Sequence, residues 1–142
     1  MAICGCGILL ERELQGKLAK QAYGDVLVAG YGFGLIVEAL LKNPRVKSIT
    51  SVEKCREVLD AVGKTYGKVI LWDFYDSPED KKYDCVIGDI WQDIDPLFLK
   101  DYKKFKAKAS KLLKKDGKIL AWGQDFFEYL LKLKYDKKTK LR

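Results

Sequence analysis

Glycine or acid recurs in this chain just past four successive short runs rich in β-branched and apolar residues. Gly30-Tyr31-Gly32-Phe33-Gly34 closes the run that begins at Asp25, and Glu53 follows Val46–Val52. Asp73 follows Lys68–Trp72, and Asp89 follows Asp84–Gly88. Glycine adopts positive φ without steric cost and lets a backbone approach a ligand closely. A carboxylate only accepts hydrogen bonds, so Glu53 suits a vicinal diol such as a ribose, both of whose hydroxyls it can accept, at about 1.5–3 kcal/mol each. Asp73 suits an exocyclic amine such as that of adenine. Asp89, followed by Ile90 and Trp91, can orient or deprotonate an acceptor amine or hydroxyl, or else contact a cofactor. Singly, each position has an ordinary explanation: a tight strand-to-helix turn, a solvated strand-end acid, a loop acid. Their recurrence at the ends of consecutive runs makes them a pattern.

The runs alternate with amphipathic stretches. Asp25–Gly30 is continuously apolar, as expected of a strand buried on both faces. Residues 34–42 read as a helix stopped by Asn43-Pro44, and residues 46–52 as a second strand. Glu57–Tyr66 reads as a helix with Val58, Ala61, Val62 and Tyr66 on one face. Lys68–Trp72 reads as a third strand, Asp76–Lys82 as a polar loop, and Asp84–Gly88 as a fourth strand. Asp95-Pro96 opens a long helix to Lys115, proline being favoured in a first turn. Asp116-Gly117 ends it before a fifth strand, Lys118–Trp122. Phe126, Phe127, Leu130 and Leu131 recur at helical spacing, and Leu10, Leu14, Leu18 and Ala22 mark an N-terminal helix. Strand and helix in this alternation predict a three-layer, Rossmann-like, doubly wound and mainly parallel sheet. Such sheets bind ligands at the carboxyl ends of their strands, where the glycines and acids stand.

Length and composition bound the rest. A chain of 142 residues, 48% hydrophobic and 33% charged, predicts one globular domain over residues 1–142. No apolar run approaches the roughly 20 residues that cross a bilayer, so no membrane partner is expected. The opening MAICGCGILL lacks a basic lead and runs into Glu11, Arg12 and Glu13, so no signal peptide and a cytoplasmic location are expected. The four cysteines, Cys4, Cys6, Cys55 and Cys85, are then expected as reduced thiols. Cys4-x-Cys6 would need two further ligands to hold a metal. With no histidine and no second close pair, no metal site is expected. Charge is uneven: residues 100–142 carry 15 basic against 5 acidic side chains, a net of +10, against −3 for the remainder. Such a third can be a nucleic-acid or anionic-substrate footprint. The solvated side of lysine-rich helices is the favoured reading, for want of interleaved arginine. An exposed fifth-strand edge leaves room for an oligomer without demanding one.

A dinucleotide fingerprint, G-x-G-x-x-G, needs a third glycine for helix–strand packing. That position is Leu35 counted from Gly30 and Val37 counted from Gly32, so neither register fits.

In its order of motifs the chain resembles class I S-adenosylmethionine-dependent methyltransferases, within the branch that also contains the spermidine synthase-like proteins. The resemblance spans residues 24–123. Gly30, Gly32 and Gly34 match the family's glycine loop, and Glu53 in Ser51-Val52-Glu53-Lys54 its ribose-binding acid. Asp73 matches the acid near adenine, residues 83–89 the fourth-strand motif, and residues 112–118 the turn into the fifth strand. The resemblance implies a methyltransferase-type sheet with S-adenosylmethionine as cofactor and S-adenosylhomocysteine as product. It further implies cofactor contacts from Tyr31, Phe33, Lys54, Phe74, Ile90 and Trp91 beside the glycines and acids, and a catalytic role for Asp89. Three features depart from the family. Many relatives carry an acid where Val28 stands, two positions before the first glycine, to hold the cofactor's amino acid end. Spermidine synthases have an aspartate where Phe33 stands, and Asp89 to Asp93 is one residue longer than their Asp-x-x-Asp, which argues against aminopropyl transfer. Finally, the residues after the fifth strand are too few for a helix plus the usual C-terminal β-hairpin.

Methyl transfer from a sulfonium asks a protein chiefly for positioning and electrostatics. Tyr31, Phe33 and Trp91 are candidates to stabilise the cation through their faces, or simply to cap the core. Without histidine, Asp89, Asp93 or Tyr31 would serve as base, or the acceptor is already a good nucleophile. Asp89-Ile90-Trp91-Gln92 lacks both prolines of the D-P-P-Y pattern, so amino-methylation of DNA bases is not supported. A methyltransferase of unassigned acceptor and a non-catalytic adenosyl-cofactor- or partner-binding domain both stay open.

Overall fold

The computed structural model describes residues 5–91 and 94–140, and the side chains of residues 13–91 and 94–134. Cys4, Asp93 and the side chains of Cys6 and Leu10 lie outside the described residues. Helix α1 (Gly5–Lys20) leads into β1 (Gly24–Ala29), α2 (Leu35–Leu41), β2 (Val46–Glu53), α3 (Arg56–Val62) and β3 (Lys68–Leu71). After a 3₁₀ turn over Phe74–Asp76 come β4 (Tyr83–Gly88), α4 (Leu99–Lys111), β5 (Leu113–Ala121) and α5 (Gln124–Lys140). The described strands form one five-stranded sheet in the order β3-β2-β1-β4-β5, every pair parallel. Chain order reverses between β1 and β4, so the crevice at their carboxyl ends is the place where this architecture seats a ligand.

Side-chain alternation sorts the core into two layers. Val26 and Val28 of β1 join Cys85 and Ile87 of β4 on the face covered by α1 and α2, with Ile36, Val37 and Leu40. Leu27, Ala29 and Val86 point to the opposite face, where Tyr102, Phe105 and Ala109 of α4 and Phe127 of α5 cover them. A strand buried on both sides has no polar face, which is why β1 and β4 read as unbroken apolar runs. Gly88 leaves room for the Phe105 ring, which a Cβ there would strike. Among the described residues Cys55 and Cys85 are free thiols, and no helix is long and apolar enough to cross a membrane.

Several elements differ from their sequence-based expectation. Helix α4 stops at Lys111, not Lys115, because Leu112 is buried and its carbonyl accepts from the Tyr83 amide at 2.8 Å, starting the β4–β5 ladder. Leu113 pairs with Tyr83 and Lys118 with Cys85, so Asp116-Gly117 lies in an irregular stretch of β5, with Asp116 at φ 68°. Helix α3 ends at Val62 because Gly63 takes φ 76°. Leu59 and Val62 pack on the core, while Ala61 and Tyr66 are exposed. In α1 the buried face holds Gln15 and Ala19, and Leu14 is 38% exposed. Leu18 packs against the core and Ala22 is buried, and the Asn43 amide, donating to the Ala19 and Ala22 carbonyls at 2.9 Å, docks the end of α1 on α2. The backbone of the basic tail is helical through Lys140.

At the amino ends of the strands, Asp84 accepts from the Asp25 amide at 2.8 Å and from Lys114 at 3.2 Å. The Asp25 carboxylate accepts from Ser48 at 2.7 Å and Lys114 at 3.2 Å. The backbone hydrogen bond from Asp25, reinforced by Lys114, holds the Asp84 carboxyl below the usual carboxylate range. The Ser48 hydroxyl and then Lys114 do the same for Asp25. Groups lowered in the folded state stabilise it above their unfolded pKa, near about 4, and lose that contribution as pH falls through their folded values. Thermal melting should therefore be level down to about pH 5 and fall below about pH 4. Asp84→Asn should make that acid arm shallower, with Asp25 and Glu128 carrying the remainder; an arm parallel to that of the parent would show that the Asp84 contacts do not contribute to it.

Candidate functional site

A hollow of about 430 Å³ opens at the carboxyl ends of β1, β2, β3 and β4. Its size falls within the roughly 300–1,000 Å³ usual for small-molecule sites. Each strand supplies the residue that follows it: Gly30 and Gly32 after β1, Glu53 and Lys54 at β2, Asp73 and Phe74 after β3, Asp89, Ile90 and Trp91 after β4. Ladder hydrogen bonds carry the strands up to this rim, Gly30 N–H to Val52 O at 2.8 Å and Trp72 N–H to Glu53 O at 2.9 Å. Parallel pairing therefore brings residues 30, 53, 73 and 89 to one rim.

Glu53 organises the glycine loop. It is 8% exposed. Its Oε1 accepts from the Tyr31 amide at 3.1 Å and the Gly32 amide at 3.3 Å, and its Oε2 accepts from the Cys55 amide at 3.0 Å. A carboxylate offers about four acceptor positions, so in this arrangement one is left for a ligand hydroxyl; taking both hydroxyls of a diol would displace a loop amide. Gly30 and Gly32 sit at φ 87° and 56°. A Cβ at Gly32 would meet nothing within 4 Å, so the backbone there borders open space. Gly34 lies away from the hollow, and its missing side chain makes room for the Tyr31 ring.

The floor is aromatic. Trp91 meets Tyr102, Phe105 and Phe127 edge-on at centroid distances of 5.8, 5.6 and 5.7 Å. Its indole N–H donates to the Trp122 carbonyl at 3.0 Å, and Phe74 stacks on Phe105 at 5.4 Å. The rim is polar. Asp73 accepts from the Tyr75 amide at 2.9 Å, and Asp89 accepts from Gln15 of α1 at 2.7 Å.

Two of the expected aromatics stand elsewhere. Tyr31 is buried in the α2 layer, where its hydroxyl accepts from the Tyr66 amide at 3.1 Å, so it faces no ligand as a base or a cation-stabilising ring. Phe33 is 80% exposed outside the hollow. Sequence reasoning missed Trp72, Tyr75, Asp101 and Lys104, all of which line it. Trp72 and Tyr75 are legible as neighbours of Asp73. Asp101 and Lys104 have no local signal, since the packing of α4 over the sheet brings them in. Lys104 Nζ lies 4.1 Å from the Tyr75 ring centroid. Burial, with the charges of Asp101 and Asp73, pushes the Tyr75 hydroxyl up to about 12, so it stays a donor at neutral pH.

No family model matches the sequence, and no curated protein does. Solved structures do match. A S-adenosylmethionine-dependent methyltransferase from Leishmania major superposes with a TM-score of 0.58 at 21% identity, over 82% of this chain and 52% of that one. The fold is that of the S-adenosylmethionine-dependent methyltransferases. A ribosomal protein L11 methylase from Lactobacillus delbrueckii subsp. bulgaricus gives 0.58 at 16% identity over 77% of this chain and 57% of that one. The plantazolicin methyltransferase BpumL, solved in complex with S-adenosylhomocysteine, gives 0.57 at 16% identity over 81% and 48%. The chain thus spans about half the length of these neighbours.

Glu53→Ala should cost on the order of 2 kcal/mol of stability by leaving loop amides unpaired. Hydrogen exchange should quicken at the Tyr31 and Gly32 amides, with Gly30, bonded to Val52, still protected. Unchanged exchange at Tyr31 would show that the carboxylate does not hold the loop.

Proposed function

We propose that residues 1–142 form one domain that binds S-adenosylmethionine in the strand-end hollow and transfers its methyl group to an acceptor still to be identified. The observation that carries this reading is the meeting of Gly32, Glu53, Asp73 and Asp89 around one hollow beside the sheet's reversal point. The donor set fits an adenosyl group: one acceptor position on Glu53 for a ribose hydroxyl, the Asp73 carboxylate for an amine at the adenine edge, and Trp91 and Phe74 as an apolar floor. S-adenosylmethionine, when bound, supplies an already activated methyl group. The chain's own part is to orient the ribose and base and to exclude water along the aromatic floor. Asp89, steadied by Gln15, is the group proposed to position or deprotonate the acceptor.

A second reading, a non-catalytic adenosyl-cofactor- or partner-binding domain, draws on one observation. Val28, where many relatives carry an acid, is fully buried in the core, so the cofactor's ammonium end lacks that partner. Aminopropyl transfer is disfavoured by Phe33, which faces solvent where a spermidine synthase has its aspartate.

Calorimetric titration tests both readings. Micromolar binding of S-adenosylmethionine and of its demethylated product is expected, weakened at least tenfold by Asp73→Asn, equivalent to about 1.4 kcal/mol. Glu53→Ala should abolish it. No binding at millimolar cofactor would sink the first reading and the cofactor-binding form of the second, leaving only a partner-binding domain. Cofactor binding with no transfer to any acceptor in a broad screen, unaltered by Asp89→Ala, would select the second.

A further inference from the structure

The acidic hollow and the basic third of the chain meet at the amino end of α4. Three lysines of the basic third pair with carboxylates: Lys114 with Asp25 and Asp84, Lys108 with Glu79, and Lys106 with Glu128. Lys100, Lys103 and Lys104 do not, nor do Lys111, Lys115 and Lys118 at the amino ends of the strands; what sets the first three apart is their place beside the hollow. No carboxylate among the described residues lies within 4 Å of their nitrogens. Their spacing of three and four residues places them side by side on one helix face. All three are exposed, and Lys104 reaches the hollow itself. Large rings stand at the same end of the sheet: Trp72, 40% exposed at the mouth, and Phe33, 80% exposed on the glycine loop.

We propose that this surface, the amino end of α4 with the Trp72 rim, binds single-stranded nucleic acid. Charge decides between ligand classes. The hollow is lined by Glu53, Asp73, Asp89 and Asp101 against Lys54 and Lys104, so a small anion entering it meets repulsion. A nucleic acid strand separates its charge from its bases: phosphates lie along Lys100, Lys103 and Lys104 outside, while a neutral base stacks on Trp72 at the mouth. Unstacked bases need exposed ring faces, and exposed rings beside a lysine row are how single strands are held without sequence readout. A duplex hides its base faces and gains nothing from Trp72. The binding step stands apart from the cofactor reading; only the use of the strand as methyl acceptor rests on it.

Fluorescence anisotropy with labelled 12-nucleotide RNA and DNA single strands, across a salt series, tests the surface. Saturable binding is expected, with tryptophan quenching that Trp72→Ala removes while affinity falls about 5- to 150-fold. Lys100→Ala/Lys103→Ala should make the slope of log affinity against log salt less negative by about 1.4, at about 0.7 per phosphate contact. Lys111→Ala/Lys115→Ala, at the opposite end of the strands, should leave the slope unchanged. Binding of RNA alone or of DNA alone identifies the strand, and both support the proposal. Equal loss in the two double variants, preference for duplex or for phosphatidylserine vesicles, or no binding at 50 mM salt would overturn it. Cofactor titration of Lys100→Ala/Lys103→Ala reports separately on the adenosyl site, because neither residue lines the hollow.

Discussion

The carboxylate of Glu53 accepts hydrogen bonds from three backbone amides on two separate loops, and the shape of the glycine loop depends on it. Two of those amides, of Tyr31 and Gly32, belong to a turn whose glycines sit at positive φ and have little intrinsic preference for one shape. The third, of Cys55, precedes α3. A single charged acceptor at the end of β2 thus ties the β1–α2 turn to the β2–α3 turn. Charge-assisted hydrogen bonds to a mostly buried carboxylate are about twice as strong as neutral ones, and their loss would leave polar backbone stranded. The same carboxylate borders the hollow, so the order of the loop and the lining of the hollow draw on one group.

The sheet makes that convergence possible. Parallel strands joined by crossovers put every carboxyl end on one side of the molecule, and the order β3-β2-β1-β4-β5 opens the crevice between Gly30 and Asp89. On one face Tyr102, Phe105 and Phe127 form the aromatic core on which Trp91, the floor of the hollow, packs edge-on. A substitution there would change stability and site shape together. On the other face, α1 contributes Gln15, which reaches over the sheet to Asp89.

Charge is distributed with a direction along the strands. At the amino ends, Lys114 is shared between Asp25 and Asp84, and exposed pairs of this sort contribute little beyond local register. At the carboxyl ends, acids crowd the hollow, Lys54 and Lys104 line it with them, and Lys100 and Lys103 stand outside it on α4. Basic charge therefore remains uncompensated beside the hollow, where it can act on a ligand.

Much of this was legible in the residues themselves. The unbroken apolar runs of β1 and β4 identify parallel strands covered on both faces, because only such strands dispense with polar alternation, and the residue after each run must then stand at the carboxyl-end rim. Asp89 follows from that rule; Glu53 at the end of the partly exposed β2 and Asp73 just past the partly exposed β3 follow instead from the alternation of strand and helix. Side-chain direction did not: Tyr31 and Phe33 are neighbours in the glycine loop, yet one ring packs under Gly34 and the other faces solvent, a choice made by the space α2 leaves over the sheet. Nor did the end of α4, where helical periodicity runs on through Leu112 and Leu113 but pairing with Tyr83 turns the chain into a strand. Asp101, Lys104 and Gln15 reach the site from helices distant in sequence. Local pattern determines which segments are strands and where each ends; packing between segments decides which way a side chain points and which distant residues share its surroundings.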